Sequence, residues 1–315
     1  MPPDPHTDAG RMDILREIPP LIRLFLQRRR VGTPAVAPVL EQLGIERPAL
    51  FALMRIQIIS AGYGGSPITL SQLHGYDPYA VVDQFAGTLP ELLRRGLLRE
   101  DAGGALSLSP EALAAVEAVQ TGSSAYVGGR EVLPHDTLQA LAEQLRRAVD
   151  ALAAHSTTAP QPGSHLAGHL SIQRYADLSR PMSAIEAYVY ALWGARDDAH
   201  MAAWRDAGME GPALDVLTQV WQGASTIAAV AANLEGQQTR DDVESSLPWL
   251  AAEEYVTFDG DTLAITPTGV MKRDDIERET DRIYFAPWPH TAEEAAFVRD
   301  TLSQVVEKLA PPATA

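Results

Sequence analysis

The chain has 315 residues, of which 46% are apolar and 21% are charged, and this predicts about two ordered domains with substantial cores. There is no cysteine, which excludes disulfides and thiolate chemistry, and no apolar run of about 18 residues, so we expect a cytoplasmic protein without a membrane span. The net charge of −16 is uneven, because residues 1–150 hold 14 Lys and Arg against 17 Asp and Glu, whereas residues 151–315 hold 11 against 24.

The first half of the sequence predicts a series of helices interrupted by one hairpin. Apolar periodicity predicts helices over residues 13–30, 48–60, 69–74, 79–95 and 135–154. Within the first of these, Pro19-Pro20 marks either an early kink or the true start of the helix. Asp101-Ala102-Gly103-Gly104 predicts a hairpin turn, and Pro110 begins a further helix. Helix, turn, helix and a two-stranded hairpin is the element order of a winged helix.

The second half repeats that order after a change of composition. A stretch rich in Ser, Thr and Pro begins at Ser156, so we expect a first domain over 11–155, a linker over 156–180 and a second domain over 181–310. Helices are predicted over residues 183–193, 199–207, 212–221, 226–232, 239–253, 267–284 and 291–309. Asp259-Gly260-Asp261 predicts a second hairpin turn, and Asp197 or Asp198 is expected to be the N-cap of the helix over 199–207.

The two halves also share sequence segments. Residues 43–50 return as 207–214, each with a Gly and, four residues later, a Pro. Residues 106–110 return as 263–267, where two apolar residues alternate with small polar or small apolar ones before a Pro. Because the period is the size of a domain, the pattern predicts a duplicated domain and not a solenoid.

Each half resembles the MarR-like winged-helix proteins. The resemblance rests on residues 68–73, on 92–98 with its Gly-Leu-Leu step, and on 106–110, and in the second half on the Leu-Ala-Ile-Thr-Pro-Thr-Gly run at 263–269. The second half also resembles an uncharacterised bacterial family of MarR-like winged-helix proteins. The segments that carry this second likeness are 196–200, 207–212, 279–281 and 286–288.

The resemblance implies a mainly α fold with small β-hairpin wings, and a function in transcription regulation. MarR-like proteins are usually homodimers, formed by their first and last helices, that bind palindromic DNA and often respond to small phenolic ligands. A duplicated chain would form that dimer within itself, as two MarR-like halves in an intrachain pseudo-dimer. The covalent link would fix the spacing of the two reading helices.

Candidate DNA contacts follow from the polar residues on the predicted reading helices and the first wing. The set comprises Gln84, Thr88, Arg94, Arg95, Arg99, Gln238 and Arg240. Two departures from the family pattern weigh against DNA binding. The first wing has Glu100 and Asp101 beside its one arginine, and the second has Asp259 and Asp261 with no basic residue, so carboxylates would face phosphates.

Other chemistry finds less support in the sequence. Aromatic residues that could line a pocket for a small aromatic ligand are Tyr63, Tyr76, Tyr188, Trp193 and Trp204, although such rings are more often simple core residues. His165 and His169 have the i, i+4 spacing of a metal-binding pair, but we expect exposed or capping histidines. Without a Gly-rich phosphate loop, a Ser-His-Asp order or a metal motif, we expect no enzyme, no cofactor and no metal.

Two functional hypotheses remain after this survey. The first is a transcriptional regulator that binds duplex DNA as a monomeric pseudo-dimer under ligand control. The alternative is a protein-interaction or small-ligand-binding module of winged-helix ancestry that has lost DNA binding and that meets a protein partner through its acidic second half.

Overall fold

The computed structural model describes residues 8–81, 85, 87–155 and 161–309. The first half contains α1 (Asp8–Arg16), α2 (Ile18–Arg28), α3 (Val36–Leu43), α4 (Arg47–Gly62), α5 (Leu70–Gly75), α6 (Leu89–Arg94), β1 (Leu98–Glu100), β2 (Leu106–Leu108), α7 (Pro110–Gly128) and α8 (His135–Ala154). The second contains α9 (His165–Ile172), α10 (Pro181–Asp206), α11 (Gly211–Trp221), α12 (Ile227–Asn233), α13 (Arg240–Ala252), β3 (Val256–Asp259), β4 (Thr262–Ile265), α14 (Pro267–Phe285) and α15 (Ala292–Lys308).

The first and last helices of the two halves pack together in one helical bundle. It consists of α1, α2, α8, α10, α14 and α15, in which α15 packs on α1 and α2, α10 packs on α8 and α2, and α8 also touches α15. Its core is apolar and includes Ile18, Ile22, Phe25, Leu141, Leu145, Ile185, Val189, Leu192, Tyr284, Phe285, Val298 and Leu302. Burial of this much apolar surface is the main stabilising term available to the chain.

Two smaller units project from the bundle, each around its own core. The first unit is α3 to α7 with the β1–β2 hairpin, and its core includes Leu50, Leu53, Ile56, Leu73, Leu92, Leu98 and Val116. The second unit is the end of α10 with α11 to α13, the β3–β4 hairpin and the start of α14, and its core includes Trp204, Leu214, Leu217, Val230, Val243, Leu247 and Leu263.

The two units share local hydrogen-bond patterns. Each hairpin is antiparallel and gains a third partner through an isolated bridge, Ile68 to Leu106 in one and Thr226 to Thr262 in the other. Each hairpin is followed by a hydroxyl N-cap and a proline, Ser109-Pro110 in one and Thr266-Pro267 in the other. The same turn chemistry therefore places the hairpin and the following helix in both units.

Pro19 and Pro20 begin a helix in the structure. They occupy the first turn of α2, where a missing N–H leaves no helical bond unmade, and α1 ends before them at Arg16. Of the two outcomes that the sequence allowed for the region 13–30, a kink and a true start, the structure has the second.

The linker predicted over 156–180 is shorter than expected. Residues 156–160 lie outside the described part of the chain, but from His165 onward the chain forms α9 and then a 3-10 turn over Gln173–Tyr175. Helix α9 packs between α4 and α10. Its apolar residues, such as the buried Leu166, pack against these two helices. The Ser- and Pro-rich composition of the neighbouring residues gave no indication of this packing.

One continuous helix replaces the two helices predicted over 183–193 and 199–207. Helix α10 runs for 26 residues, and the run 196–200 lies inside it, so neither Asp197 nor Asp198 starts a helix. Asp198 instead accepts hydrogen bonds from the backbone N–H groups of His165 and Leu166, at 2.9 Å each. Its carboxylate thus stabilises the N-terminus of α9, a helix remote in sequence.

Within the described residues, no helix has both the length and the apolarity needed to cross a bilayer.

The two units differ in the residue that ends the helix before the hairpin. In the first unit, Gly96 has a φ of 71°, and the same left-handed position in the second unit is held by Glu254 with a φ of 59°. Both residues close the same turn, in which Leu97 N–H bonds to Leu92 O and Tyr255 N–H bonds to Leu250 O. A side chain in this conformation costs energy that glycine avoids.

We expect Glu254→Gly to raise the free energy of unfolding by about 0.5–1 kcal/mol, because it removes the steric penalty of the left-handed conformation. The measurement is the denaturant midpoint at constant m-value. Gly96→Ala is the matched opposite change, since no atom lies within 4 Å of the added carbon, and it should lower stability by a similar amount. A loss of stability in Glu254→Gly would contradict this account.

Candidate functional site

The second unit contains a complete helix-turn-helix. Thr226 caps α12 and Thr239 caps α13, the latter in a reciprocal capping box with Asp242. Val243, Leu247 and Leu250 bury one side of α13, so its opposite side is exposed. That exposed side carries Asp241, Glu244, Ser245 and Trp249, which makes it acidic and partly aromatic.

Arg240 is the basic residue at the start of α13, and its guanidinium forms ion pairs with two acidic side chains. Its Nε donates to Glu244 Oε1 at 2.7 Å, and its Nη2 donates to Asp261 Oδ1 at 2.8 Å. The side chain remains about half exposed (51%), so both ion pairs are weak in water. A phosphate could replace these partners without exposing any buried group.

The predicted reading helix over 79–95 is wrong in its first part. Among the described residues of this range, Leu89–Arg94 is helical and residues 79–81 have no helical structure. Residues 82–84 and 86, and thus Gln84, lie outside the described part of the chain. Thr88 is the half-buried N-cap of the short α6. The reason is tertiary, because the backbone N–H of Val81 donates to Gln237 O at 2.9 Å and so takes no part in a helix.

Two arginines lie at the end of α6 and a third lies on β1. Arg94 and Arg95 both donate to Glu91, and Arg95 also donates to Gly44 O at 2.7 Å. Arg99 is exposed on β1 and forms no ion pair within the described residues. Arg94 and Arg95 thus share a single carboxylate, whereas Arg99 has no acidic partner among the described side chains.

The two units meet at a junction that the sequence did not reveal. Besides the bond from Val81 to Gln237, Trp204 Nε1 donates to Tyr79 Oη at 3.1 Å. Gly211 lies so close to the first unit that a β-carbon there would be 2.3 Å from Pro78 O. Glycine is therefore required at the start of α11 for residues 77–81 to pack against the second unit.

Gln238 belongs to this junction and not to an exposed reading surface. It is only 3% exposed, and its Nε2 donates to Pro212 O at 3.1 Å. A base edge cannot reach this amide in the present arrangement, so we correct its assignment as a base contact. Arg240, two residues later, is the first residue of α13 and lies outside the junction, because its side chain bonds to Glu244 and Asp261 of the second unit.

Half-buried carboxylates lie near the same junction. Burial, with the negative charge of Asp77 nearby, raises the pKa of Asp215 to about 7. Burial also raises the pKa of Asp197 to about 6, with repulsion from Asp198 adding to the effect. Asp77 itself forms an ion pair with Arg55 at 2.9 Å. Two carboxyl groups near the contact between the units therefore have pKa values well above the ordinary value for aspartate.

The five aromatic residues predicted to line a pocket do not converge. Trp193 borders a cleft of about 660 Å³ between α2, α10 and α14, together with Arg23, Arg196, His200 and Glu277. Tyr76 borders a different cleft of about 340 Å³. The others pack in three separate cores: Tyr188 in the bundle, Tyr63 beside the first unit and Trp204 in the second unit.

The two histidines at i, i+4 are covered, contrary to the expectation of exposed or capping side chains. His165 Nδ1 lies 3.1 Å from Asp198 Oδ1, and its ring lies 3.9 Å from that of Tyr76. His169 is 8% exposed, and burial lowers its pKa to about 3. Among the side chains that the structure describes, no three His, Cys, Asp or Glu are grouped so as to hold a metal ion.

We expect Asp215→Asn to become steadily more stable relative to the wild type as the pH rises from about 4 to about 7. The folded wild type binds a proton in this range that the unfolded chain has released, since the ordinary pKa is 3.8, so wild-type stability falls with pH in this window. The amide has no proton to lose. Melting temperatures of both proteins from pH 4.5 to 8 measure the difference, which should be constant above pH 7.

Asp206→Asn, at an exposed carboxylate on the end of α10, is the control and should show no such trend. A constant difference between Asp215→Asn and the wild type at all these pH values would contradict the assignment.

Comparison with known proteins identifies the element order of these units. No curated protein and no solved structure matches the chain. The model of a helix-turn-helix family matches residues 80–313, which include α12, α13 and the second hairpin and cover well over half of the sequence. The chain belongs to this helix-turn-helix family.

Proposed function

We propose that this protein is a MarR-like transcriptional regulator that binds duplex DNA through its two units, arranged as an intrachain pseudo-dimer. The carrying observation is the match to a helix-turn-helix family over residues 80–313. Members of helix-turn-helix families read DNA with the second helix of the motif. In this chain that helix is α13, and α6 is its counterpart in the first unit.

The bundle supports the pseudo-dimer. If the halves are copies, α8 corresponds to α15, and the first helices of the halves, α2 and α10, correspond to each other. The contact of α15 with α2 then corresponds to the contact of α8 with α10. Exchange of the two halves leaves the contacts α8–α15 and α2–α10 unchanged, because each joins a helix to its own copy. A two-fold arrangement of copies requires these reciprocal contacts.

The proposed phosphate contacts are the four arginines Arg94, Arg95, Arg99 and Arg240. Three of them share exposed ion pairs with acids, so DNA would have to compete with carboxylates for their guanidinium groups. The negative net charge adds a general repulsion. Binding should therefore be weak at physiological salt and strong only at low salt.

We expect the wild type to bind a random-sequence duplex at 20 mM salt, with affinity falling as salt is added at a log–log slope of about −3 to −4, as four phosphate contacts imply. Arg94→Gln combined with Arg99→Gln should weaken binding about tenfold at low salt and make the slope shallower by about 2. Fluorescence anisotropy of a labelled duplex measures both quantities.

The matched control is Arg146→Gln. Arg146 is as exposed as the proposed contacts and also pairs with acids, Glu143 and Asp150, but it lies on α8 in the bundle. It should bind DNA like the wild type. If the wild type does not bind at 20 mM salt, or if the control loses as much affinity as the double variant, the proposal fails.

A second candidate function is docking of a basic protein segment on α13. It is favoured by the acidic and aromatic exposed side of that helix, where Trp249 is 39% exposed beside Asp241 and Glu244. The double variant Asp241→Asn, Glu244→Gln separates the candidates in the same assay. It should strengthen DNA binding if α13 reads DNA, because repulsion is removed, and weaken the binding of a lysine-rich peptide if α13 docks protein.

The ligand-responsive part of the proposal concerns the 660 Å³ cleft beside Trp193. Its volume is that of a small-molecule site, and it combines an indole ring with the exposed guanidinium of Arg23. It lies between α2, α10 and α14, and α14 begins in the second unit before it joins the bundle. A small aromatic acid would find both an apolar surface and a cation there.

We expect benzoate to bind this cleft, and Trp193→Leu to weaken the binding about tenfold, because the ring contact is lost. Isothermal titration calorimetry measures the affinity. Trp249→Leu, a change of an exposed tryptophan on α13 outside the cleft, is the control and should have no effect. Equal benzoate binding by the wild type and Trp193→Leu would show that this cleft is not the benzoate site.

A further inference from the structure

A buried group of polar side chains lies where both halves of the chain meet, away from the proposed DNA and ligand surfaces. Glu186 of α10 is 2% exposed, and its Oε1 accepts from Arg29 Nε at 2.8 Å and from Arg30 Nε at 2.7 Å. Two guanidinium groups therefore share one carboxylate oxygen in the interior. Buried charges are normally paired one to one, because an unpaired charge in a low-dielectric interior is costly.

Arg29 has additional partners that account for its charge. It donates to the carbonyl of Leu26 at the end of α2 and to the hydroxyl of Tyr190, and its guanidinium carbon lies 4.5 Å from the centre of the Tyr190 ring. The C-terminus of a helix and an aromatic face both attract a cation. Arg29 and Glu186 are thus well matched to each other.

The charge of Arg30 is left without an equal partner. Its other contacts within the described residues are a long hydrogen bond from Nη2 to Gln120 Oε1 at 3.5 Å and the ring of Tyr190, whose centre lies 5.6 Å from its guanidinium carbon. Arg29 faces that same ring, and neither contact supplies a second negative charge. Glu117 on α7 accepts from the Tyr175 hydroxyl and forms no ion pair with Arg30 in the described part of the chain. Two guanidinium groups therefore face the single carboxylate of Glu186, and one positive charge is in excess within this group.

A cavity of about 30 Å³ lies against this excess charge. Its lining includes Arg30, Gln120, His169 and Gln173, and also Glu186, whose Oε1 is already bonded to both arginines. His169 Nδ1 and Gln173 Nε2 are buried and have no hydrogen-bond partner in the described part of the chain. Because the pKa of His169 is lowered to about 3, its ring is neutral at pH 7 and adds no charge, but its N–H can still donate.

We propose that this cavity is a binding site for one halide-sized monovalent anion, held by Arg30 with N–H groups of Gln173 and His169. The volume is that of about one water molecule, which suits chloride or bromide better than carboxylates or phosphates. The anion balances the excess positive charge of the two arginines over Glu186 and supplies an acceptor for donors that lack one. Its elements are α2, α7, α9 and α10, so it links the first half of the chain to the second.

The test is the melting temperature of the full chain in sodium chloride, sodium bromide and sodium gluconate at equal ionic strength. Chloride and bromide should raise the melting temperature above the gluconate value by about 3 °C at saturation, as expected for an ion that binds only the folded state. Crystals grown with bromide should show an anomalous peak beside Arg30. Equal melting temperatures of the wild type in the three salts would overturn the site.

Two variants separate a specific site from a general salt effect. Arg30→Gln removes the excess charge and should abolish the difference between halide and gluconate. Gln173→Glu places a carboxylate in the cavity as a tethered anion. It should therefore also abolish the difference between halide and gluconate, and it should raise stability in gluconate. This variant keeps the test valid if Arg30→Gln fails to fold. Arg146→Gln, at an exposed arginine of α8, should retain the wild-type difference. A halide effect that persists in both cavity variants overturns the proposal.

Discussion

The burial of helix α10 on nearly all sides is the constraint on which the remaining structure depends. Most of its 26 residues are covered, and it touches α2, α7, α8, α9 and α14. A helix with apolar residues all round cannot remain in water, so elements from both halves have to surround it. Its first part belongs to the bundle core, and its last part, with Met201 and Trp204, belongs to the core of the second unit. Rotation of the second unit against the bundle would therefore disturb two cores at once.

The sequence predicted the elements that are specified locally. The hairpins at Asp101–Gly104 and Asp259–Asp261, the capped helices after Ser109 and Thr266, and the short helix after Thr69 all carry their signals within a few residues. The predictions that failed concern segments whose structure is decided by distant contacts. Residues 79–81 read as helix, but Val81 bonds to Gln237 and Tyr79 to Trp204. Local periodicity contains no information about such partners.

The same distinction applies to the candidate site. Arg94, Arg99 and Arg240 are exposed, as their positions at helix ends and on a strand suggest. Gln238, next to the N-cap of α13, satisfies the same local rule, yet it is buried against Pro212 and the first unit. His169 shows the reverse, because an exposed or capping histidine was expected and the ring is stacked on Tyr190 in the interior. Whether a polar residue near a helix end is exposed or buried can be assigned from sequence only when the elements that pack against it are known.

The contact between the units has a consequence for how DNA could be read. A two-fold reader places its reading helices about one turn of DNA apart, roughly 34–36 Å. Here Gln237, two residues before the N-cap of α13, is bonded directly to Val81, eight residues before α6. The chain on either side of that bond must therefore diverge for α6 and α13 to reach successive grooves. A single backbone hydrogen bond contributes only about 1 kcal/mol net, but Gly211 and Pro78 pack closely beside it and Asp215 and Asp77 repel each other across it when both are charged. If α6 and α13 read DNA as proposed, the charge of these carboxyl groups would be coupled to their spacing, because the repulsion between Asp77 and Asp215 grows as Asp215 loses its proton.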